Sequence, residues 1–344
     1  MKNIFKIITV FMLVLGVCCA SVSEYMANEG PKCRIVDVQQ NGYVWRYQEL
    51  EEVDKSIVRI YNCDGVRSKE ETKNLLVEMG LEEKNLNRFT DEELDGYVSA
   101  STIITTVSYS KISEKGEIVC LDEETAVKEA AVVNMAQEAN RISKMNGIAT
   151  ATYDIDVGLD SYMKITYSVS VNGERCESIV IGEWLTMPIV RQYDSIGACT
   201  KYITVTPNTA SCRVYYDETT YVPGKTTIRS ITKEISDIQI GVKSGWTGIA
   251  ATYLLPSDST SNPEKMVLNT KFAAIFKYMG KIELPDQRLN FNAIATYSHM
   301  TFGIQFSAPG ISISTSGADA SIGMSIIGKQ DKRSVVLEIN YIPS

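Results

Sequence analysis

The chain has 344 residues, and its 42 acidic side chains outnumber its 34 basic ones to give a net charge of −8. An acidic surface favours solubility and excludes nucleic acid as an expected partner, because binding to phosphates requires clustered Lys and Arg. The sequence contains one histidine, His299, which excludes a zinc site built on several histidines.

The first twenty residues, MKNIFKIITVFMLVLGVCCA, have the three regions of a secretory signal peptide: lysines, an apolar run and small residues. We expect cleavage after Ala20, because Cys18 and Ala20 occupy the small-residue positions of the cleavage site. A membrane helix is the alternative, but the apolar run is shorter than the roughly 18 to 20 residues that span a membrane. A lipid anchor at Cys18 or Cys19 is disfavoured, since Val17 stands where a small residue is expected. No later segment of the sequence is long and apolar enough to cross a bilayer. The sequence therefore predicts a secreted or loosely cell-surface-associated protein.

After the signal peptide, the segment CRIVDVQQNGYVWRYQE (33–49) predicts a β-hairpin. Asn41-Gly42 is a strong turn signal, because both turn positions need a positive φ. A two-residue turn places Val38 opposite Trp45 and Val36 opposite Tyr47. A third short strand is expected at 56–63.

Two capping boxes follow, in which a hydroxyl residue precedes a glutamate by three positions. Ser68 and Glu71 open a helix that we expect to end near Gly80, and Thr90 and Glu93 open a second short helix.

The same region resembles a known group of sequences. The segments SKEETKNLLVEMGLEEKNLNRFTDEELDGYVSAS, DSYMKITYSVSV and EWLTMPIVRQYDSIGAC are similar to parts of uncharacterised secreted proteins of clostridia-like Gram-positive bacteria. The resemblance covers about a third of the chain and implies no activity and no functional residues.

A long amphipathic helix is expected within 122–147, capped by Asp122 and stopped by Asn146-Gly147. An apolar stripe runs along it at helical spacing, and we expect this stripe to pack on a sheet or another helix, with a coiled-coil partner as the alternative. The stripe consists of Val127, Ala131, Met135, Ala139, Ile142 and Met145.

From Thr150 onward, short alternating runs are separated by turn signals such as Asn172-Gly173 and Pro223-Gly224. This pattern predicts an antiparallel sandwich or barrel. The predicted fold class is therefore α+β, with a small mixed α/β N-terminal module followed by an antiparallel β-sandwich-like domain. The predicted divisions are 1–20 signal peptide, 21–121 mixed module, 122–147 long helix and 148–344 β domain.

The segment YDIDVGLD (Tyr153–Asp160) alternates apolar and acidic residues, which predicts a half-buried strand. An EF-hand calcium loop requires glycine at position 6 and glutamate at position 12, and this segment has neither. A looser calcium site on Asp154 and Asp156 remains the alternative, and no other cofactor is expected.

Six cysteines remain after cleavage, and an even number in an exported chain suggests disulfides. The pairs that close short loops are Cys33 with Cys63 and Cys199 with Cys212. The alternative is that some of the six are buried free thiols.

The sequence has no CxxC, HExxH or G-x-S-x-G motif, so no catalytic residue is assigned and a non-enzyme is expected. His299 lies in an alternating strand pattern and is interpreted as a structural or surface histidine. Glu183 beside Trp184 is the best candidate for carboxylate catalysis, which can use two acids alone.

Near the C-terminus, PGISISTSGADASIGMSIIG predicts a hairpin with one apolar and one small polar face. Ile311 and Ile313 stand against Ala320, Ile322, Met324 and Ile326. Pore-forming hairpins have this pattern, and so do sandwich strands under a close cover. We favour a core strand, because six or seven residues are fewer than the roughly 9 to 11 that cross a membrane.

Three functions fit these observations. The first is an exported, non-catalytic protein that binds an unknown surface polymer or protein. The second is a carbohydrate-binding protein with Trp184 and Trp246 as the ligand platform. The third is a membrane-active, toxin-like protein that uses the C-terminal hairpin.

Overall fold

The computed structural model describes residues 33–40, 43–50, 56–62, 65–113, 117–145, 160–188, 191–200, 202–222, 229–242, 248–259, 266–283, 285–303, 310–316, 319–325 and 328–341. For the first two strands, the end of the long helix and the C-terminal hairpin, only the backbone is described. The predicted signal peptide, Cys63, the acidic segment Asp154 to Asp156 and Trp246 lie outside these residues, as does the side chain of Cys33.

The described chain is mostly β-strand. The strands, in chain order, are β1 (Cys33–Gln40), β2 (Tyr43–Leu50), β3 (Ile57–Asn62), β4 (Thr102–Ile112), β5 (Ile118–Leu121), β6 (Ser161–Asn172), β7 (Arg175–Trp184), β8 (Tyr193–Thr200), β9 (Ile203–Val205), β10 (Ser211–Tyr221), β11 (Arg229–Glu234), β12 (Ile238–Val242), β13 (Gly248–Leu254), β14 (Met266–Ile282), β15 (Leu289–Gly303), β16 (Gly310–Ser316), β17 (Asp319–Ser325) and β18 (Gly328–Tyr341). The helices are α1 (Lys69–Glu78), α2 (Glu83–Leu86), α3 (Asp95–Val98) and α4 (Glu123–Met145), with a 3₁₀ turn at Glu92–Leu94.

The described strands form three antiparallel sheets. The large sheet has eleven strands, with β1-β2-β3-β4-β6-β7-β14-β10-β11 as its main order, β5 paired to β4 and β9 paired to β14. The small sheet has five strands in the order β12-β13-β8-β15-β18, and β16 and β17 form a hairpin of their own. The expectation of an antiparallel, sandwich-like fold is confirmed.

The local predictions at the N-terminal end are confirmed. β1 and β2 pair in the predicted register, with Val38 opposite Trp45 and Val36 opposite Tyr47. The Ser68 side chain accepts a hydrogen bond from the backbone N–H of Glu71 and the Glu71 side chain accepts one from the Ser68 N–H, so the capping box is complete. Thr90 and Glu93 make the same reciprocal pair of bonds before the 3₁₀ turn.

The main core lies between the two larger sheets. On the inner face of the large sheet, alternate residues of β6, β7 and β14 are buried, for example Tyr167, Val180 and Phe276. They pack against Ile196 and Val335 on the inner face of the small sheet. Because strand side chains alternate between faces, the remaining residues of these strands point to the outer faces and need their own cover.

Helices cover the outer face of the large sheet. Leu76, Met79, Leu86 and Tyr97, from the segment of α1 to α3, are buried against this face. Ile103 and Ile179 are among the sheet residues in the same cluster. Further along the sheet, α4 packs through a second cluster on the same face.

The predicted N-terminal module is not a separate α/β unit in this fold. Its strands β3 and β4 join directly to β6, which belongs to the predicted sandwich domain. Tyr97 also reaches across the predicted boundary, because its hydroxyl donates to the backbone oxygen of Ser168 at 3.0 Å. The described helices include none that is long and apolar enough to span a membrane.

Candidate functional site

Trp184, one half of the predicted ligand platform, is buried between the large sheet and the small sheet. It stands at the end of β7, is 4% exposed, and its indole N–H donates to the Asp194 carboxylate at 3.1 Å. A sugar platform presents an open aromatic face, and this ring does not. The edge of the ring does line a surface groove, described below.

Asp194 is the centre of a buried polar cluster that the sequence did not reveal. Tyr297 donates its hydroxyl to Asp194, Tyr253 donates to the Tyr297 oxygen at 2.8 Å, and His299 Nδ1 lies 2.5 Å from the other carboxylate oxygen. Burial and the neighbouring Asp194 raise the pKa of Tyr297 well above its usual value. Gly182 leaves room for this cluster, because a Cβ there would lie 2.3 Å from the Tyr297 ring.

The Asp194 cluster joins the two sheets rather than facing a ligand. Asp194 and His299 are 0% and 4% exposed, and the indole edge of Trp184 fills the space beside the histidine at 5.1 Å between ring centroids. His299 is thus buried beside Asp194 and Trp184; the sequence analysis expected a structural or surface histidine.

Glu183, the candidate catalytic carboxylate, is held by lysines under the helical cover. Its carboxylate lies 3.0 Å from Lys84 and 4.0 Å from Lys164, and Lys164 also binds Glu82 at 2.9 Å. Desolvation raises the pKa of Glu82, but the two lysines outweigh it and the net pKa is lowered. Both carboxylates thus belong to one cluster of ion pairs with Lys84 and Lys164, an arrangement suited to fixing α2 on the sheet.

The structure does not show the predicted disulfide between Cys199 and Cys212. Cys199 lies in β8 of the small sheet and Cys212 in β10 of the large sheet, and no disulfide joins them. The chain between them crosses from one sheet to the other, so closeness in sequence does not bring the two Cβ atoms together. Burial raises the pKa of both the Cys176 and the Cys212 thiols, to about 12 for Cys176.

Helix α4 is anchored by a different face from the one predicted. Ala126, Ala130 and Val133 are buried against Tyr109 and Tyr162. Asp122 caps the helix as expected, because its carboxylate accepts from the Thr125 N–H at 2.8 Å.

The predicted packing stripe of α4 instead faces solvent over its described part. Val127 is 51% exposed and Met135 is 66% exposed, and Val132 beside them is 45% exposed. The helix therefore has two apolar faces. The alanine face allows close approach to the sheet, and the face with larger side chains remains open.

A groove continues this exposed stripe at the C-terminal half of α4. Its volume is about 370 Å³, and it is lined by Asn134, Met135, Gln137, Trp184, Leu185, Thr186, Met187, Thr270 and Lys271. Asn134 donates to the backbone oxygen of Leu185 at 2.8 Å, which fixes the helix to the rim of the groove.

The opposite wall of the groove contains a backbone irregularity. Lys271 has a φ of 55° within β14, where the pairing with β10 shifts register. A positive φ is uncommon for a residue other than glycine, and such bulges re-aim side chains beside functional sites. The Lys271 side chain is 79% exposed beside Asp217 at 3.2 Å. We define the outer surface as Val127, Val132, Met135 and this groove.

Comparisons with known proteins add little to this geometry. No protein-family model and no curated protein matches the chain. One solved structure that it resembles is the collagen-binding subdomain ACE19 of the Enterococcus faecalis surface protein ACE, at 8% identity, covering 48% of this chain and 88% of that one. The TM-score is 0.22, which is too low to support an argument about fold or function.

Proposed function

We propose that the protein is an exported, non-catalytic binding protein and that its outer surface takes a protein partner. The observation that carries this proposal is the open apolar face of α4, on which Val127, Val132 and Met135 are each about half exposed or more. Large exposed apolar side chains gathered on one face mark interaction sites more often than isolated ones do.

The chemistry of the outer surface favours a protein over a sugar polymer. Its exposed apolar side chains are two valines and a methionine, and methionine is common at protein-binding surfaces because it adapts its shape. Its rim has both signs of charge, since Lys128, Glu124 and Glu129 line the adjoining cavity of about 540 Å³. Of the two aromatic rings predicted as a glycan platform, Trp184 is buried and Trp246 lies outside the described residues.

The N-terminal signal sequence supports export. The contacts of the candidate catalytic residues support a non-catalytic role. Glu183 is held in ion pairs, and Asp194 and His299 are enclosed between sheets. A binding role is therefore the function that the described residues fit best.

The experiment is co-sedimentation of residues 21–344 with bacterial cell walls that keep their proteins, the same walls after protease treatment, and purified insoluble polysaccharides. We expect saturable pelleting with the untreated walls only. Met135→Lys places a charge in the apolar stripe and should weaken binding at least about tenfold. Val66→Lys is the matched control, because Val66 is 79% exposed in the loop before α1 and lines neither the groove nor the adjoining cavity.

Binding that survives protease treatment, or that Met135→Lys leaves unchanged, contradicts the proposal. Pelleting with a purified polysaccharide supports the carbohydrate-binding alternative. If the protein pellets with none of the preparations, the proposal of a protein partner is also contradicted.

A further inference from the structure

Strand β12 forms one edge of the small sheet. It stands at the end of the strand order, and among the described strands it pairs with β13 only. An edge strand presents a row of backbone N–H and C=O groups with which another strand can pair. Proteins therefore usually protect such an edge, most simply with charged side chains.

Strand β11, which precedes β12 in the chain, is protected in this way. It ends the main strand order of the large sheet and carries Arg229, Lys233 and Glu234. Lys233 also binds Glu218 on the neighbouring strand at 2.6 Å. Another strand could pair with this edge only by placing its own side chains among these charges. We therefore expect β11 to remain an edge.

Strand β12 lacks this protection. Its sequence, IQIGV, contains no charged residue, and Ile240 and Val242 are 43% and 40% exposed. Ile240 stands opposite Ala251, which is buried in the main core. Val242 stands opposite Ile249, another buried member of that core. Since opposed residues share a face, both exposed side chains lie on the core side of the sheet, which is left partly uncovered at this edge.

The strand is complementary to an antiparallel copy of itself. If a second copy pairs with β12 about a two-fold axis through Ile240, perpendicular to the sheet, Ile240 stands opposite its own equivalent. Ile238 then stands opposite Val242, so every isoleucine and valine of the strand opposes an apolar residue on the same face. On the other face Gln239 stands opposite Gly241, which leaves space for the longer side chain.

The charges that flank the strand favour the same orientation. In the sequence, Asp237 precedes β12 and Lys243 follows it. Antiparallel pairing brings the beginning of each strand to the end of the other, so the acid of one copy and the base of the other attract each other. A parallel arrangement would bring like charges together.

We propose that two copies of this chain associate through β12, so that their five-stranded small sheets join edge to edge into one continuous antiparallel sheet. A two-fold interface uses the same surface on both copies, which the self-complementary pattern of β12 allows. Each copy contributes a strand of five residues, so we expect an interface smaller than the roughly 1,200 Å² of a stable complex. The dimer should therefore depend on protein concentration.

The experiment is sedimentation equilibrium of residues 21–344 at increasing protein concentration, for which we expect a monomer–dimer equilibrium. Ile240→Lys and Ile240→Glu should each weaken association at least about tenfold, because like charges then oppose each other at the axis. An equimolar mixture of these two variants should recover association, because each lysine then opposes a glutamate. Ile231→Lys is the matched control, because Ile231 is 37% exposed on the protected strand β11. This control should associate like the unmodified chain.

Cross-linking tests the register without introducing charges. Opposed residues of an antiparallel pair have Cα atoms about 4.5–5.5 Å apart, a distance that suits a disulfide. Ile240→Cys should therefore give a disulfide-linked dimer under mild oxidation. Gln239→Cys, which would stand opposite Gly241, should not. The unmodified chain, oxidised in the same way, controls for the native cysteines.

Several outcomes would overturn the proposal. They are a monomer at every concentration, association that Ile240→Lys leaves unchanged, a mixture of the charged variants that associates no better than either alone, and equal cross-linking of Ile240→Cys and Gln239→Cys. Met135→Lys, which alters the outer surface on α4, should dimerise normally. Loss of cell-wall binding and loss of dimerisation are thus separate results, and this inference and the proposed function fail separately.

Discussion

The two outer faces of the sandwich are covered in different ways. Over the large sheet, the helices bury large apolar side chains such as Leu76 and Tyr97, and they cover the buried ion pair of Lys277 with Glu177. The hairpin of β16 and β17 lies within 8 Å, between Cα atoms, of β8, β13 and β15 of the small sheet. The hydroxyls of Ser195, Thr252 and Ser298 on these strands have no partner within the described part of the chain. The first cover is stabilised by buried apolar area, whereas the described side chains on the sheet side of the second are small and polar.

The two covers therefore differ in what their buried polar groups require. The charges under the helices must stay paired, because a buried charge left alone is strongly unfavourable. The hydroxyls under the hairpin can exchange one environment for water at small cost. The comparison predicts that substitutions under the helical cover are destabilising and that equivalent substitutions under the hairpin are nearly neutral.

The largest effect is expected for Lys277→Met. Lys277 is 7% exposed, its ammonium group lies 2.5 Å from the Glu177 carboxylate, and it also donates to the backbone oxygen of Glu93 in the helical cover. Its loss leaves Glu177 buried without its counter-ion, at a cost of about 3–5 kcal/mol of unfolding free energy. Urea unfolding of both chains measures this difference.

The pH dependence and a control sharpen this test. Burial raises the pKa of Glu177 despite Lys277, and removing Lys277 raises it further. A raised carboxyl pKa in the folded state means that stability falls as pH rises, so the deficit should be larger at pH 8 than at pH 5. Lys281→Met on the same strand breaks the exposed pair with Glu174 and should cost less than about 1 kcal/mol. Equal losses for the two variants would contradict the comparison.

We expect stability to fall at alkaline pH because of Tyr278, which is buried in the core between the two sheets. Burial raises the pKa of Tyr278 to about 12. In the unfolded chain a tyrosine hydroxyl ionises near pH 10. The contribution of neutral Tyr278 to the free energy of unfolding is therefore complete below pH 10 and is lost between about pH 10 and 12. A difference of about two pKa units corresponds to about 3 kcal/mol of unfolding free energy. Tyr278→Phe should flatten that part of the profile, and a slope unchanged in the variant would contradict the assignment.

The smallest effects compare one hydroxyl under each cover. Thr105, on the helix side, donates to the Ser168 hydroxyl at 2.9 Å, and both are buried. Thr105→Val should cost about 1 kcal/mol, because it breaks this bond and leaves Ser168 unpaired. Thr252→Val, under the hairpin, should change the unfolding free energy by less than about 0.5 kcal/mol or raise it. Denaturant midpoints of the two variants test this, and an equal loss in both would show that the two covers do not differ.

The sequence determined the features that depend on neighbouring residues. The Asn-Gly turn set the register of β1 and β2, and the capping boxes at Ser68 and Thr90 started their helical turns where expected. The limits of α4 followed from Asp122 and from helix-forming residues. These signals are local, because a cap or a two-residue turn is complete within a few positions.

Only the tertiary structure decided which surfaces meet. Periodicity showed that α4 has apolar positions, but the sheet accepted the face of Ala126 and Ala130 and left that of Val127 and Met135 open. Cys199 and Cys212 lie in different sheets and Trp184 is buried for the same reason, since both outcomes depend on which sheet each strand joins. Strand order and the choice between two apolar faces are set by contacts between residues far apart in the chain, which no short window of sequence contains.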